Sequence, residues 1–154
     1  MRSDVLRKYL SADAVTSRVI DGVYVQDTLP EQVAGRPRAF VCNTDPSDQE
    51  GEHWVAFYFD QDMTADYYDP YGLPPVIPSW IRFLNNNCDS WRHNPIRLQE
   101  VDSSTCGHHV LYFLLHRSRG VPLETVLSHF TSTKNDNDSR VINFLMHHYG
   151  LKRQ

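Results

Sequence analysis

The sequence has no long hydrophobic run. No stretch approaches the ~20 consecutive apolar residues that a membrane-spanning helix requires, so we expect no such helix. The first residues, MRSDVLRKYLSADAV, lack the apolar core of a signal peptide. Both features favour an intracellular protein.

Cysteine, glycine and clustered basic residues are also scarce. Three cysteines are an odd number at wide spacings, which is not a disulfide framework and indicates a reducing compartment. Seven glycines beside nine prolines favour defined turns over flexible linkers. The net charge of −4, without a basic block, argues against strong nucleic-acid binding. No CxxC or HxxxH pair stands at zinc spacing, so the sequence predicts no metal site.

The residues that are present predict one globular domain over residues 1–154. The chain is 40% hydrophobic and 12% aromatic, and it is long enough to bury a core without covalent or metal cross-links. Hydrophobic spacing predicts helices over 3–10, within 74–87, from Ser103 or Ser104 to Gly120, and over 122–130 and 139–150. Strands are predicted over 39–43, 53–60, 65–72 and 95–101, with loops over 44–52 and 131–138. Helix, then strands, then helices is typical of an α+β fold with a small sheet packed by helices.

Cys106 stands at the predicted N-terminus of a helix. The positive end of the helix dipole favours a thiolate there, and Gly107 leaves room for a substrate backbone to approach. The alternative is an inert core cysteine, since cysteine is among the most often buried residue types. This stretch alone leaves both interpretations open.

A nucleophilic cysteine needs a base, and the base needs an orienting group. Of eight histidines, His53 is distinct because it opens a strand directly after a polar loop. Asp69 ends the next strand, so a hairpin would bring both side chains to one edge of the sheet, where the carboxylate could accept the imidazole N–H. The alternative for Asp69 is a turn residue before proline. Gln99 could place an amide N–H beside the Cys106 backbone N–H as an oxyanion hole, or it could be an ordinary polar strand residue.

Four elements occur in a fixed order: His53-Trp54, Asp69-Pro70-Tyr71-Gly72, Gln99, and Cys106-Gly107. In this order they resemble the adenovirus protease (adenain) family and the wider group of Ulp1-type, SUMO-cleaving peptidases. VCNTDPSDQEGEHW also resembles the adenoviral stretch that leads into its histidine. The resemblance covers most of the chain from about residue 3, more weakly before 38 and after 120.

The resemblance implies an adenain/Ulp1-like cysteine endopeptidase. Cys106 would be the nucleophile, His53 the base, Asp69 the orienting acid and Gln99 the oxyanion donor. Trp54 and Gly107 would bound a narrow cleft for a substrate with glycine next to the scissile bond. The implied task is maturation of capsid precursors of a virus or virus-like transposon, in the host nucleus or cytoplasm or in the virion. This chain departs from the adenoviral pattern in two ways. Adenoviral enzymes have glutamate where Asp69 stands, whereas the Ulp1 type has aspartate. This chain is also shorter after Cys106.

The resemblance also raises the question of an activator. Adenoviral enzymes are activated by DNA and by a short viral peptide joined through a disulfide, and Cys88 stands about where the linking cysteine stands. The alternative is that Cys88 is an exposed loop cysteine. The chemistry itself requires no cofactor.

Three other functions are open at the level of sequence. One is an isopeptidase that removes ubiquitin or a ubiquitin-like protein, and a second is an acetyltransferase related to the YopJ-type effectors. The third is a Cys/His metal-binding or interaction domain, against which the lack of zinc spacing argues.

Overall fold

The fold is a single mixed sheet with helices on both faces. The structure is a computed structural model that describes residues 1–46 and 53–151. The strands are β1 (Ile20–Tyr24), β2 (Arg38–Asn43), β3 (Trp54–Phe59), β4 (Thr64–Tyr68) and β5 (Ser90–His93). The helices are α1 (Ser3–Ala12), α2 (Pro78–Asn87), α3 (Cys106–Arg117), α4 (Leu123–Ser128) and α5 (Lys134–His148), with a 3₁₀ turn at Thr16–Arg18.

The strands lie side by side in sequence order. β2, β3 and β4 are antiparallel neighbours, and the edge strands β1 and β5 each pair in parallel with the strand beside them. Every residue of β3 is buried, because side chains alternate between two covered faces. Trp54, Ala56 and Tyr58 pack with helices α1, α3 and α5, whereas Val55 and Phe57 pack with α2 on the other face.

Helix α3 is the central helix of the first face. Ten of its twelve residues are buried, and it lies against β3, α1, α4 and α5. A helix that is apolar on nearly all sides belongs in the interior, and this explains its continuous run VLYFLL. Its burial places the N-terminal residue Cys106 at a defined point beside the start of β3.

Several predicted boundaries are wrong. Residues 95–101 form no strand, because the Leu98 and Gln99 N–H groups bond to the Pro70 carbonyl instead of a ladder, and the fifth strand is Ser90–His93. Helix α3 begins at Cys106 rather than at Ser103 or Ser104, and α5 begins at Lys134, inside the predicted loop 131–138. Strand β1 was not predicted. The part of the predicted loop 44–52 from 47 onward lies outside the described residues.

The predicted hairpin and the α+β class are confirmed. Among the described residues, no helix is long and apolar enough to cross a membrane.

Candidate active site

The β3–β4 hairpin brings His53 and Asp69 together. The register pairs Ala56 with Tyr68, so the residue before β3 and the residue after β4 meet at one edge of the sheet. His53 Nε2 lies 2.6 Å from Asp69 Oδ1, and the two side chains are 12% and 6% exposed. So short a bond between nearly buried groups is typical of a charge-assisted hydrogen bond.

Asp69 is itself held by the residues around it. Its backbone N–H donates to Asn94 Oδ1 at 2.9 Å, and Asn94 Nδ2 donates back to the Asp69 carbonyl at 2.6 Å. The Tyr71 N–H donates to Asp69 Oδ1 at 2.8 Å. The fully buried Asn94 therefore fixes the backbone, and the turn that follows orients the carboxylate. Sequence reasoning missed Asn94, since no local pattern links it to a turn 25 residues earlier.

Tyr71 covers the imidazole. Its ring stacks on His53 with centroids 4.4 Å apart and planes inclined by 16°. The turn needs Gly72, whose φ is +72° and whose Cα approaches the next segment so closely that a Cβ would lie 2.5 Å from the Ile96 carbonyl carbon. The Pro-aromatic-Gly sequence thus has a physical reason: it supports the histidine and closes the turn.

Cys106 interacts with the same imidazole. His53 Nδ1, the ring nitrogen that does not face Asp69, is buried without a hydrogen-bond partner among the described residues, so it is free to receive a proton from a thiol or a substrate. Burial opposes ionisation of Cys106, but the His53 hydrogen bond, a backbone hydrogen bond from Trp54 and the imidazolium charge together lower its pKa. The cysteine therefore lies where a thiolate is favoured.

The pKa of His53 shifts the opposite way. Burial disfavours the imidazolium, but the hydrogen bonds with Asp69 and Cys106 and their charges raise the pKa to about 9, from an ordinary value of 6.5. A lowered cysteine pKa beside a raised histidine pKa favours a thiolate–imidazolium pair over the neutral pair, and the two groups titrate as a unit.

Gln99 is fully buried, but its amide has a different partner from the one predicted. Nε2 donates to the Ser103 carbonyl at 2.9 Å and lies 3.2 Å from the Ser103 hydroxyl. Oε1 is buried without a hydrogen bond among the described residues. Gln99 thus lies in the segment that leads into Cys106, with its amide nitrogen directed at Ser103 rather than at a substrate position.

No protein-family model matches the chain, and no curated protein matches it. Among solved structures, the pS273R protease of ASFV matches with a TM-score of 0.61 and 19% identity, over 89% of this chain. This chain has the fold of that protease. It spans 63% of the pS273R chain's length.

Two further matches have lower scores. The central domain of Lpg1148 from Legionella pneumophila has a TM-score of 0.55 at 15% identity, over 96% of this chain and 97% of that one. The C-terminal Ulp1 protease domain in complex with Smt3, the yeast ortholog of SUMO, has a TM-score of 0.42 at 15% identity, over 71% of this chain and 50% of that one. The fold predicted from the sequence, with Cys106 at a helix N-terminus, is confirmed by the likeness to pS273R.

In this pS273R-like fold, Met1 covers the predicted cleft between Trp54 and Gly107. The Trp54 indole Nε1–H donates to the Met1 carbonyl at 2.7 Å. A Cβ placed on Gly107 would lie 2.8 Å from the Met1 Cβ. In this structure it is therefore Met1, not a substrate, that lies close to Gly107.

Cys88 is buried, unlike the exposed loop cysteine that one interpretation of the sequence predicts. It follows α2, packs in the core on the opposite face of the sheet from Cys106, and is 8% exposed. Its thiol donates to the Leu84 carbonyl at 3.0 Å, and burial raises its pKa. It is not an exposed loop cysteine, and a disulfide to a peptide would require this thiol to be uncovered.

An open pocket of about 360 Å³ adjoins the imidazole. His53, Asp69 and Tyr71 form its polar wall, and the exposed side chains Leu73 and Val76 lie along its apolar wall. A peptide chain that reaches Cys106 and His53 would have room there for an apolar side chain.

Proposed function

We propose that this chain is a cysteine peptidase in which Cys106 is the nucleophile, His53 the general base and acid, and Asp69 the orienting acid. The observation that carries this proposal is one nearly buried imidazole that is bonded to Asp69 through Nε2, has Nδ1 unpartnered and interacts with Cys106. Nucleophile, base and orienting group within mutual reach are the arrangement that covalent acyl transfer requires.

The proposed reaction begins with attack of the Cys106 thiolate on a substrate carbonyl carbon. The carbonyl oxygen becomes an oxyanion near the start of α3, where backbone N–H groups of the first turn have no partner within the helix. His53 then gives its proton to the leaving amine, and a thioester forms as the C–N bond breaks. Water, deprotonated by His53, hydrolyses the thioester and returns the free cysteine. Gln99 would add a second oxyanion donor if substrate displaced its amide from Ser103.

Glycine next to the scissile bond is the proposed specificity. Support comes from the sequence resemblance and from the narrow space between Trp54 and Gly107, which already contains Met1 in close contact. The likeness to a viral protease favours precursor processing as the task. The second candidate, removal of a ubiquitin-like protein from a glycine tail, is favoured by one observation: Asp69 is the acid of the Ulp1 type.

Selective alkylation tests the catalytic proposal. Near pH 6, iodoacetamide should label Cys106 rapidly and leave Cys42 and Cys88 unlabelled, because burial raises the pKa of both. Mass spectrometry of digested protein gives the labelled site, and Cys106→Ala should abolish labelling and hydrolysis while the protein stays folded. Equal labelling of all three cysteines would reject the nucleophile.

Two electrophiles separate the substrate classes. A short peptide aldehyde ending in glycine should inhibit a precursor protease, whereas a ubiquitin-type vinyl methyl ester should trap a deconjugase at Cys106. Efficient cleavage of peptides with bulky residues at the glycine position would contradict the proposed specificity.

A further inference from the structure

A buried carboxylate from α5 lies beneath the segment between Gln99 and Cys106. Asp138 is 7% exposed, and its Oδ1 accepts the Thr105 hydroxyl at 2.9 Å and His109 Nε2–H at 2.8 Å. Its Oδ2 lies 3.4 Å from the Glu100 N–H. One carboxylate therefore contacts the residue before Cys106, the first turn of α3 and the residue after Gln99.

A directed chain of hydrogen bonds runs from this carboxylate to Gln99. Thr105 has one hydroxyl proton, and it points to the carboxylate, so Thr105 Oγ1 is an acceptor for the Ser103 hydroxyl 2.9 Å away. The Ser103 hydroxyl proton is shared with the Glu100 carbonyl at 3.1 Å, and Ser103 Oγ faces the amide nitrogen of Gln99 at 3.2 Å. The Asp138 carboxylate thus orients the Thr105 hydroxyl, and the Ser103 carbonyl and hydroxyl turn the nitrogen, not the oxygen, of Gln99 toward the segment that leads into Cys106.

The same turn of α5 holds the segment at a second point. The fully buried Asn137 donates from Nδ2 to the Leu98 carbonyl at 3.1 Å. His109 is fully buried and lies against Phe130, and burial lowers its pKa against the opposing effect of Asp138. A neutral His109 with its proton on Nε2 fits its donation to Asp138 Oδ1.

We propose that Asp138 is a positioning residue for the oxyanion hole, acting through Thr105 and Ser103 on the Cys106 backbone and the Gln99 amide. This inference rests on the proposed peptidase function. It assigns α5 a role in the chemistry through Thr105, the residue before Cys106. Misplacement of a reacting group by about 1 Å can cost about 10²-fold in rate, which sets the scale of the expected effect.

Thr105→Val tests the chain while it keeps the side chain's shape and leaves the His109–Asp138 bond intact. We expect kcat on a glycine peptide, and affinity for a glycine peptide aldehyde, to fall together by about 10–100-fold, because the aldehyde adduct carries an oxyanion. KM and the rate of iodoacetamide alkylation, which forms no oxyanion, should stay within about twofold. Asp138→Asn should act in the same direction, and Thr105→Ser should restore most of the loss.

Asp136→Asn is the matched control, since Asp136 lies in the same first turn of α5 with an exposed side chain and should behave as wild type. Thermal unfolding of each variant reports any loss of stability. Unchanged kcat and aldehyde affinity in Thr105→Val would overturn the inference. An equal loss of alkylation rate and aldehyde affinity would also overturn it, because that result indicates general disruption of the site. Wild-type protein that neither alkylates selectively at Cys106 nor binds the aldehyde would instead reject the peptidase function itself.

Discussion

Replacement of Asp69 by asparagine separates the charge of this residue from its place in the turn. Asparagine can still accept the Tyr71 N–H, and the two backbone bonds with Asn94 remain. The variant therefore removes the negative charge opposite His53 while the local geometry is kept.

The size of the effect follows from the geometry of the pair. A 2.6 Å hydrogen bond between side chains that are 12% and 6% exposed is poorly screened by water. Hydrogen bonds to charged groups contribute about 1.5–3 kcal/mol, and 1.4 kcal/mol is a factor of ten in an equilibrium. Loss of the charge should thus lower the equilibrium constant between the thiolate–imidazolium pair and the neutral pair by about 10–100-fold, and Cys106 should be alkylated more slowly near neutral pH.

The pH dependence has a defined sign. In the wild type the imidazolium of His53 persists until the pH rises through about 9, and the Cys106 thiolate persists until the pH falls through its lowered pKa. Between these limits the ion pair is present. Without Asp69 the pKa of His53 should fall, so the range in which the ion pair is present narrows from its alkaline side.

The assay is the rate of iodoacetamide alkylation at Cys106 from pH 4 to pH 10, followed by intact mass, beside kcat on a glycine peptide. Asp66→Asn is the control, because Asp66 is a buried carboxylate three residues earlier that bonds to Arg92 and Arg117 rather than to His53. It should lower thermal stability and leave the pH profile unchanged. An Asp69→Asn enzyme with the wild-type profile would refute the role of Asp69 and leave it a turn residue.

Three further predictions concern the surroundings of this pair. Gln99→Ala should lower kcat by about 10²–10³-fold with little change in KM if the amide reaches the oxyanion, and steady-state kinetics with unchanged kcat would limit Gln99 to its bond with Ser103. Tyr71→Leu should lower kcat by about 2–10-fold through loss of the ring stacked on His53, whereas Tyr71→Phe, which keeps the ring, should not. Gly72→Ala should lower the free energy of unfolding by well over the ~1–2 kcal/mol that a positive φ costs, because the added Cβ would also clash with the Ile96 backbone. Gly120→Ala is the control, since Gly120 has a φ of +84° but open space around it. The same denaturant titration of this variant gives the cost of the positive φ alone.

Local patterns were enough to predict the hairpin, the central helix and three of the residues brought together at the site. The aromatic and β-branched run of β3 and the apolar run of α3 are local features of the sequence, and the turn between β3 and β4 is four residues long. Once that hairpin forms, His53 and Asp69 must meet at its open end. Cys106 was recognisable because a helix N-terminus after a polar stretch is a local signal.

The parts that sequence reasoning missed depend on contacts between distant residues. Asp138 meets Thr105 across 33 positions, and the tie between Asn94 and Asp69 spans 25. Residues 134–138 are too polar to predict a helix, yet Asn137 and Asp138 become buried there because they satisfy carbonyl, hydroxyl and imidazole groups of another segment. The position of Met1 over Gly107 and the bond of the Gln99 amide to Ser103 also depend on contacts that exist only in the completed fold. The sequence thus determined which residues could perform the chemistry, whereas the tertiary structure decided what surrounds and orients them.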